Sequence, residues 1–323
     1  MLLRVALVLI ALSAVQTARA QEPVRWTLAS TFPSTLTQLG TLGKRLETQI
    51  ALVSDGAITL DFNEPGSPIP VQEIFDAVGR GDVDAGWSNP GYWAEREPAL
   101  ALFAAVPFGP PADEYLAWFY FGGGREFFEE IYQAYNIHSV LCGVNAPEAL
   151  GWFREPLETV DDLRGLEMRF FGLGARVLEK LGATTRLLVG DEIIPQLSDG
   201  SIDATEFSMP AIDIFLGFHK AAKNYYFPGW HRQSTLFDLT INLDKWNSLT
   251  DTQKAQIETV CGDNVRFGMA EGEAIQIAAL KELRDTYDVE LRRLPPDILN
   301  AAEEAWDEVV ADLSAENEKF AAV

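Results

Sequence analysis

Residues 165–207 alternate between short apolar runs and amphipathic segments that end at glycines, and this pattern strongly constrains the fold. It predicts strands at 166–170, 185–189 and 202–205, with helices at 175–181 and about 190–197 between them. A βαβαβ order requires a parallel sheet covered by helices. Ligands of such sheets bind beyond the carboxyl ends of the strands, where Arg169 and Glu206 are expected.

An internal repeat indicates that this unit occurs twice. Residues 73–85 align without a gap on residues 192–204, and both segments read as a helix, a glycine stop and a short strand. Chance recurrence of a common α/β pattern is the alternative. As a true repeat, the pair predicts two α/β lobes with a cleft between them.

The amino terminus has the pattern of a secretory signal. Arg4 precedes an apolar run, and Ala18-Arg19-Ala20 forms a small-residue cleavage site before Gln21. We therefore expect residues 1–20 to be removed and the mature protein to be exported to the periplasm. The formal net charge of −23 argues against nucleic-acid binding, which needs a basic face.

The cysteines and histidines indicate no zinc site. The two cysteines, Cys142 and Cys261, can form a disulfide in an oxidising compartment or can be two small buried apolar side chains. The sequence leaves both alternatives open. The three histidines are scattered and have no zinc-like spacing with the cysteines.

Aromatic residues follow the predicted strand ends in both halves. Most aromatic side chains of the chain are expected in the core, since each buries a large apolar area. Those at strand ends are the candidates for a ligand pocket, and the segment after the third strand also contains Asn89. The candidate aromatics of the two lobes are Trp87, Tyr92 and Trp93 in one and Phe171, Phe207 and Phe215 in the other.

The sequence favours binding over catalysis. It contains no G-x-S-x-G nucleophile motif and no phosphate-binding loop. Gly172 and Gly174 resemble the start of a dinucleotide fingerprint, but Val177 replaces its third glycine. A hinged α/β enzyme remains the rival from another class, and catalytic turnover would distinguish it.

An ordered series of short motifs resembles a known family. The motifs are P-F-G (107–109), G-G-G (122–124), G-W-F (151–153), D-L-R-G-L-E-M-R (162–169), G-S-I-D-A-T-E (200–206) and Y-F-P-G-W (226–230). They resemble the DctP-like solute-binding proteins of tripartite ATP-independent periplasmic (TRAP) transporters, nearest the branch that binds 2-oxo acids and related monocarboxylates. The resemblance covers nearly the whole mature chain.

The resemblance implies a two-lobed Venus-flytrap receptor of the α/β class. Hinge strands and a long helix would join the lobes, and the receptor would deliver an organic acid to the TRAP membrane subunits. We expect lobe I to comprise residues 21–142 and about 236–268, and lobe II residues 143–235 and about 269–323. Arg169, at the end of the G-L-x-M-R strand, would clamp the ligand carboxylate, for which its planar fork is suited.

The metal ligands of the branch are only partly matched. Its pattern has a glutamine before G-W-F, a glutamate in T-E-W and a glutamate after P-G-W, which together hold a cation. Here Glu206 matches the second and is followed by Phe207, Glu148 stands at the first and Arg232 at the third. Arginine offers no lone pair and repels cations. We therefore expect no metal ion at this site. Glu206 would be a metal ligand only if the metal site of the family is retained. The alternative for Arg232 is that its side chain faces solvent.

The expected ligand site consists of Arg169, Glu206, Phe207, Glu148, Arg232, Tyr92, Phe171 and Asn89. An aromatic lining suits an acid with an apolar body better than a sugar acid. A zwitterionic amino-acid-like or ectoine-like ligand is the alternative, with Glu148 meeting its cation. An alternative function is that of a periplasmic sensor component. The chain stops before a long swapped terminal helix could form, so a monomer is expected.

Overall fold

Two mixed β-sheets with packed helices form the protein. The computed structural model describes residues 23–188 and 190–323. The predicted signal segment, residues 1–20, and Val189, the predicted end of a strand, lie outside these described residues. Within them, no helix combines the length and the apolar character needed to cross a membrane.

The strands are short, and in chain order they are β1 (Val24–Ser30), β2 (Ile58–Asn63), β3 (Ala85–Ser88), β4 (Ile137–Asn145), β5 (Gly151–Phe153), β6 (Glu167–Arg169), β7 (Thr184–Arg186), β8 (Ala204–Thr205), β9 (Asn224–Tyr226), β10 (Thr235–Asn242) and β11 (Glu290–Arg292). The α-helices are α1 (Thr41–Val53), α2 (Ile74–Arg80), α3 (Ala112–Phe121), α4 (Gly124–Gln133), α5 (Leu173–Lys180), α6 (Gly190–Asp199), α7 (Pro210–Leu216), α8 (Leu243–Asn247), α9 (Asp251–Tyr287), α10 (Pro296–Glu316) and α11 (Glu318–Ala322).

The two sheets share one strand arrangement. The first has the order β2-β1-β3-β10-β4, with β1 parallel to β2 and β3, and β10 antiparallel to β3 and β4. The second has the order β11-β9-β5-β8-β6-β7, with β6 parallel to β7 and β8, and β5 antiparallel to β8 and β9. The parallel triplets β2-β1-β3 and β7-β6-β8 are therefore equivalent. The βαβαβ prediction for residues 165–207 is confirmed, and α2-β3 and α6-β8 hold the repeated segment in both halves.

The chain crosses between the sheets in two short segments. Residues 146–150 lead from β4 to β5, and residues 227–234 lead from β9 back to β10. Helix α9 packs against β4 and α1 of the first sheet and against α7 and β11 of the second, so it bridges both. Two crossings and one bridging helix confirm the two-lobed architecture with hinge strands.

The apolar spacing of the sequence predicts helices over residues 36–53 and 269–287, and both predicted starts were wrong. The helix predicted from Leu36 begins at Thr41, because Gln38 adopts a left-handed backbone with φ 58° and interrupts the turn. The helix predicted from Met269 begins at Asp251 and has 37 residues. Its N-terminus is a capping box between Thr250 and Gln253, and this start signal was already present in the sequence.

A disulfide joins Cys142 of β4 to Cys261 of α9, which decides between the two alternatives left open. Both residues are fully buried. The nearby Asn264 Nδ2 donates to the Cys142 carbonyl at 2.8 Å and to the Leu42 carbonyl at 3.3 Å, so the bridging helix is also hydrogen-bonded to the first sheet. The disulfide closes a loop of 119 residues.

Breaking the disulfide should destabilise the fold. A cross-link over so long a loop restricts the unfolded chain, and its loss typically costs about 2–5 kcal/mol. We expect reductant to lower the midpoint of guanidinium unfolding of the wild type. The double variant Cys142→Ala/Cys261→Ala should show the lower midpoint with or without reductant. An unchanged wild-type midpoint in reductant would contradict a native bridge.

Candidate functional site

A cleft of about 980 Å³ lies between the two sheets. Its lining includes the loops after β1, β3 and β8, the end of β6 and the two crossing segments. These positions include the carboxyl ends of β3, β6 and β8, as expected for ligand sites of open α/β sheets. Of the predicted site residues, those in the lining are Asn89, Tyr92, Glu148, Arg169, Phe171, Phe207 and Arg232. Glu206 is fully buried and bonded to Arg169.

The first ion pair joins Arg169 to Glu206. Arg169 Nη1 donates to Glu206 Oε2 at 2.8 Å and also to the Glu206 backbone carbonyl. Both residues lie at the ends of neighbouring parallel strands, β6 and β8, and the Glu206 N–H donates to the Arg169 carbonyl at 3.0 Å. The sheet register therefore places the carboxylate against the guanidinium.

The second ion pair joins the two crossing segments. Arg232 Nη1 donates to Glu148 Oε2 at 3.0 Å. Glu148 Oε1 accepts from Thr235 Oγ1 at 2.7 Å and from Asn145 Nδ2 at 3.1 Å. The Glu148 N–H also donates to the Arg232 carbonyl at 3.1 Å. Arg232 is buried and lines the cleft, so the alternative that it faces solvent is wrong.

The two ion pairs form one charge cluster. Arg232 Nη1 lies 3.9 Å from Glu206 Oε1, so Glu206 faces both arginines. Burial by itself would raise the pKa of Glu206, but the charges of Arg232 and Arg169 outweigh it and lower the pKa to about 2. Glu148 and Glu206 raise the pKa of Arg232 against the opposing effect of burial. The cluster thus sets two arginines against two glutamates, so its formal charges balance.

Several buried polar atoms around the cluster have no hydrogen-bond partner within the described residues. Arg169 Nε and Ser208 Oγ belong to residues that line the cleft. Glu206 Oε1 and both ring nitrogens of His231 lie behind them, with His231 Nε2 3.6 Å from Glu206 Oε1. Unsatisfied buried polar atoms are rare in folded proteins. Arg169 and Ser208 therefore mark places where a ligand can bond.

A buried carboxyl group fixes the loop after β8. Asp213 accepts from Ser208 N at 3.2 Å, from Trp152 Nε1 at 3.1 Å and from the Tyr225 hydroxyl at 2.9 Å. Burial raises the pKa of Asp213 well above its usual range, and the hydrogen bonds from Tyr225 and Trp152 act against that shift. The loop that contains Glu206 is thereby held against the sheet.

Gly151 allows β5 to pack closely against the start of the same loop. It has φ 137° where β5 begins, and a Cβ there would lie 2.2 Å from the Thr205 carbonyl oxygen. Only glycine permits this close approach of β5 to the end of β8.

Asn89 has a structural position in the cleft wall. Its Oδ1 accepts from Gly91 N at 2.8 Å and its Nδ2 donates to the Leu236 carbonyl at 2.9 Å. Both polar atoms of its amide are therefore bonded to backbone, and Asn89 shapes the turn that presents Tyr92.

The candidate aromatics divide between cleft and core. Tyr92 of the first lobe packs on Phe171 of the second, with ring centroids 5.0 Å apart. Arg232 lies 4.8 Å from the Phe171 ring centre and Arg169 lies 5.1 Å from that of Phe207. Phe215 and Trp93 also line the cleft. Trp87 does not, because it is fully buried in the first lobe and its Nε1 donates to the Leu39 carbonyl.

Part of the charge cluster could hold a metal ion, although a guanidinium lies beside it. Glu148, Glu206 and His231 offer ligand atoms within 4.8 Å of one another. However, both oxygens of Glu148 accept hydrogen bonds, and Glu206 Oε2 is bonded to Arg169. Calcium needs six to eight oxygen ligands, and imidazole nitrogen is not among those it prefers. Arg232 already supplies a positive charge 3.0 Å from Glu148, while Glu206 Oε1 and the ring nitrogens of His231 have no hydrogen-bond partner among the described residues.

Sequence reasoning missed four residues of the site. Ser208 and His231 are next to predicted residues, yet nothing in their local pattern indicates burial without a partner. Asn145 and Thr235 bond Glu148 from the ends of β4 and β10, which pair with each other. Predicting that β4 pairs with β10 would have identified Asn145 and Thr235.

The pKa of Glu206 predicts an acid-dependent loss of stability. An unfolded glutamate has a pKa of about 4.3, so the lowered folded value stabilises the protein above that pH. This contribution, roughly 3 kcal/mol from the difference in pKa, is lost as the pH falls from about 4.5 toward 2.

We expect the unfolding free energies of wild type and Glu206→Gln to differ by a constant amount from pH 7 to 5 and to converge toward pH 2. Denaturant unfolding at each pH measures this difference, and other titrating groups cancel in it. Glu258→Gln, which removes an exposed partner of Arg125, is the control. Convergence already complete at pH 4 would contradict the lowered pKa.

Comparisons with known proteins agree with this geometry. Residues 28–317 match the family model of the bacterial extracellular solute-binding proteins, family 7 (DctP). A curated relative is the monocarboxylate 2-oxoacid-binding periplasmic protein of Nostoc sp., 37% identical over 229 residues. That match covers 70% of this chain and 62% of the relative, so the chain spans less than two-thirds of the relative's length.

Two solved structures share the fold over nearly the whole chain. A TRAP transporter solute-binding protein from Bordetella bronchiseptica, a mixed-occupancy dimer with copurified calcium and picolinate, has a TM-score of 0.89 and 29% identity over 94% of this chain and 90% of its own. A TRAP periplasmic solute-binding protein from Pseudoalteromonas atlantica, with bound sodium and pyruvate, has a TM-score of 0.88 and 32% identity over 93% of this chain and 91% of its own.

These matches confirm the two-lobed fold and the expectation of binding rather than catalysis, because the shared family is one of solute receptors. The chain belongs to the DctP family of bacterial extracellular solute-binding proteins.

Proposed function

We propose that the protein is the periplasmic receptor of a TRAP transporter and captures a monocarboxylate such as a 2-oxo or 2-hydroxy acid. The observation that carries this is Arg169 Nε, a buried guanidinium N–H in the cleft wall without a partner among the described residues. A carboxylate is the chemical group that best satisfies such a donor. The relatives with pyruvate and picolinate bind acids of this class.

In the proposed binding mode, the ligand carboxylate accepts from the free edge of Arg169. Glu206 already accepts from Nη1 of Arg169, so the edge formed by Nε and Nη2 is available to the ligand. Ser208 Oγ then bonds the 2-oxo or 2-hydroxyl oxygen, since a hydroxyl can donate or accept. The formal charges of the cluster sum to zero before binding. One ligand carboxylate then adds a single negative charge beside two arginines.

A monocarboxylate is favoured over a zwitterion. A ligand ammonium group would need a free acceptor in the cleft, and both oxygens of Glu148 already accept from Arg232, Thr235 and Asn145. Glu206 Oε1 has no partner among the described residues, but Glu206 is fully buried and does not line the cleft. Displacing the bond from Arg232 would leave its buried guanidinium with only the longer contact of 3.9 Å to Glu206, which is costly.

Replacing Arg169 should abolish tight binding. Losing a buried charge-assisted pair costs about 2–5 kcal/mol of binding free energy, so Arg169→Ala should weaken affinity by at least about thirtyfold. Arg169→Lys should also fail, because an ammonium group does not reproduce the planar fork. Titration calorimetry with pyruvate and other 2-oxo acids measures this.

The control for Arg169 is Arg45→Ala. It removes an ion pair between α1 and α9, with Asp263 at 2.5 Å, away from the cleft lining. It should leave ligand affinity unchanged. Near-normal affinity in a folded Arg169→Ala protein would show that Arg169 is only a structural arginine.

We propose further that Arg232 replaces the cation seen in relatives. Its Nη1 lies between Glu148 and Glu206 and supplies a positive charge beside both. Ligand affinity should therefore be the same after treatment with a chelator and in buffers free of sodium and calcium. Arg232→Glu should weaken binding in the absence of metal and recover part of it when calcium is added. Loss of wild-type binding on chelation would show that a metal ion is required.

We also propose where the receptor acts and how its lobes move. A signal in residues 1–20 would export the chain, and the receptor would act as a monomer that closes its lobes and presents the acid to two membrane subunits. The proposed lobes are residues 21–142 with about 236–268, and 143–235 with about 269–323. The packing of Tyr92 on Phe171 across the cleft supports closure of the lobes over the ligand.

A further inference from the structure

The cleft is polar at its inner end and apolar along most of its wall. The buried charged residues of the lining, Glu148, Arg169 and Arg232, belong to one cluster. Around it the wall is formed by aromatic and aliphatic side chains, among them Phe32, Leu36, Phe171, Phe207 and Phe237. This division matches an amphipathic ligand with one charged end.

Two exposed apolar side chains continue the wall to the mouth. Leu187, after β7, is 60% exposed and Phe215, in α7, is 64% exposed, yet both line the same cleft as the buried arginines. Large apolar side chains at the entrance to a binding cleft gain free energy when a ligand covers them. They add apolar surface to the wall of the cleft, and their exposure places this surface at its open side.

Outside the cluster, the single cation among the described lining residues already has a carboxylate partner. Apart from the cluster, the charged lining residues in the described part of the chain are Glu95 and Arg96. Arg96 is in an ion pair with Asp76 at 2.5 Å, and Glu95 would repel an anion. The outer end of the ligand is therefore expected to be uncharged.

The volume of the cleft agrees with a long ligand. About 980 Å³ is at the upper end of the range of roughly 300–1,000 Å³ for pockets that enclose drug-sized molecules. A three-carbon acid at the arginines would leave most of the apolar wall uncovered.

We propose that the physiological ligand is a monocarboxylate with an extended apolar body that runs from Arg169 to a distal apolar subsite formed by Leu187 and Phe215. This rests on the proposed function, because the arginine cluster must hold the carboxylate. The subsite selects for chain length and against dicarboxylates.

Calorimetric titration of the full mature chain with four 2-oxo acids tests the proposal. Affinity should rise from pyruvate to phenylpyruvate and 2-oxo-octanoate, by up to about fourfold for each methylene that becomes buried. 2-Oxoglutarate, with a second carboxylate, should bind no more tightly than pyruvate. If pyruvate binds as tightly as 2-oxo-octanoate, the distal subsite is overturned while the receptor function stands. If none of the four acids binds, the proposed function itself fails.

A pair of matched variants locates the subsite. Phe215→Ser should weaken the affinity for 2-oxo-octanoate by about fivefold or more and change the affinity for pyruvate by less than about twofold, because only the long acid covers this ring. Phe121→Ser, at a 93% exposed phenylalanine of α3 outside the cleft lining, should change neither. Equal weakening of both acids by Phe215→Ser, or no weakening of either, would place the apolar body elsewhere and overturn the proposal.

Discussion

The cluster of Arg169, Glu206, Arg232 and Glu148 is the interaction on which the architecture of the cleft depends. Each of these charges is buried, and a buried charge is costly unless an opposite charge and hydrogen bonds compensate it. The compensation here comes from separate elements, since β6 and the loop after β8 supply one pair and the two crossing segments supply the other. The cluster can form only when the second sheet and both crossings are in place.

The repeated strand order explains why the cluster faces a cleft. Each half contains a parallel triplet of strands, and residues of the loops after β3, β6 and β8 line one common cleft. The remaining connections restrain how the halves move. Helix α9 contacts both sheets, and the disulfide between Cys142 and Cys261 fastens it to the first one. The two halves are otherwise joined by residues 146–150 and 227–234, and these contain Glu148 and Arg232.

Arginine and a metal ion supply positive charge in different ways. An ion gathers several oxygen ligands around one point, whereas a guanidinium has directional N–H groups in one plane. In the proposed binding mode, Arg232 neutralises Glu148 and Glu206 without using the ligand as a bridge. The carboxylate and 2-oxo oxygens then need not chelate a common ion. This relaxes the demand for a small chelating acid and agrees with a cleft that accepts a longer apolar body.

The sequence by itself determined the fold class, the repeated βαβαβ unit and the strand end that carries Arg169, because these follow from local periodicity, glycine stops and ordered motifs. It also placed Glu148 and Arg232 in the site through the resemblance. Only the tertiary structure decided that these two pair with each other, that Cys142 bonds Cys261, and that Trp87 belongs to the core while Phe215 reaches the cleft. Each of these depends on which distant segments become neighbours. The bonds of Glu148 to Asn145 and Thr235 arise from the pairing of β4 with β10, about 90 residues apart in the chain. Such pairing is set by the packing of whole sheets, because the local pattern of a strand specifies which face is buried but not which strand lies beside it.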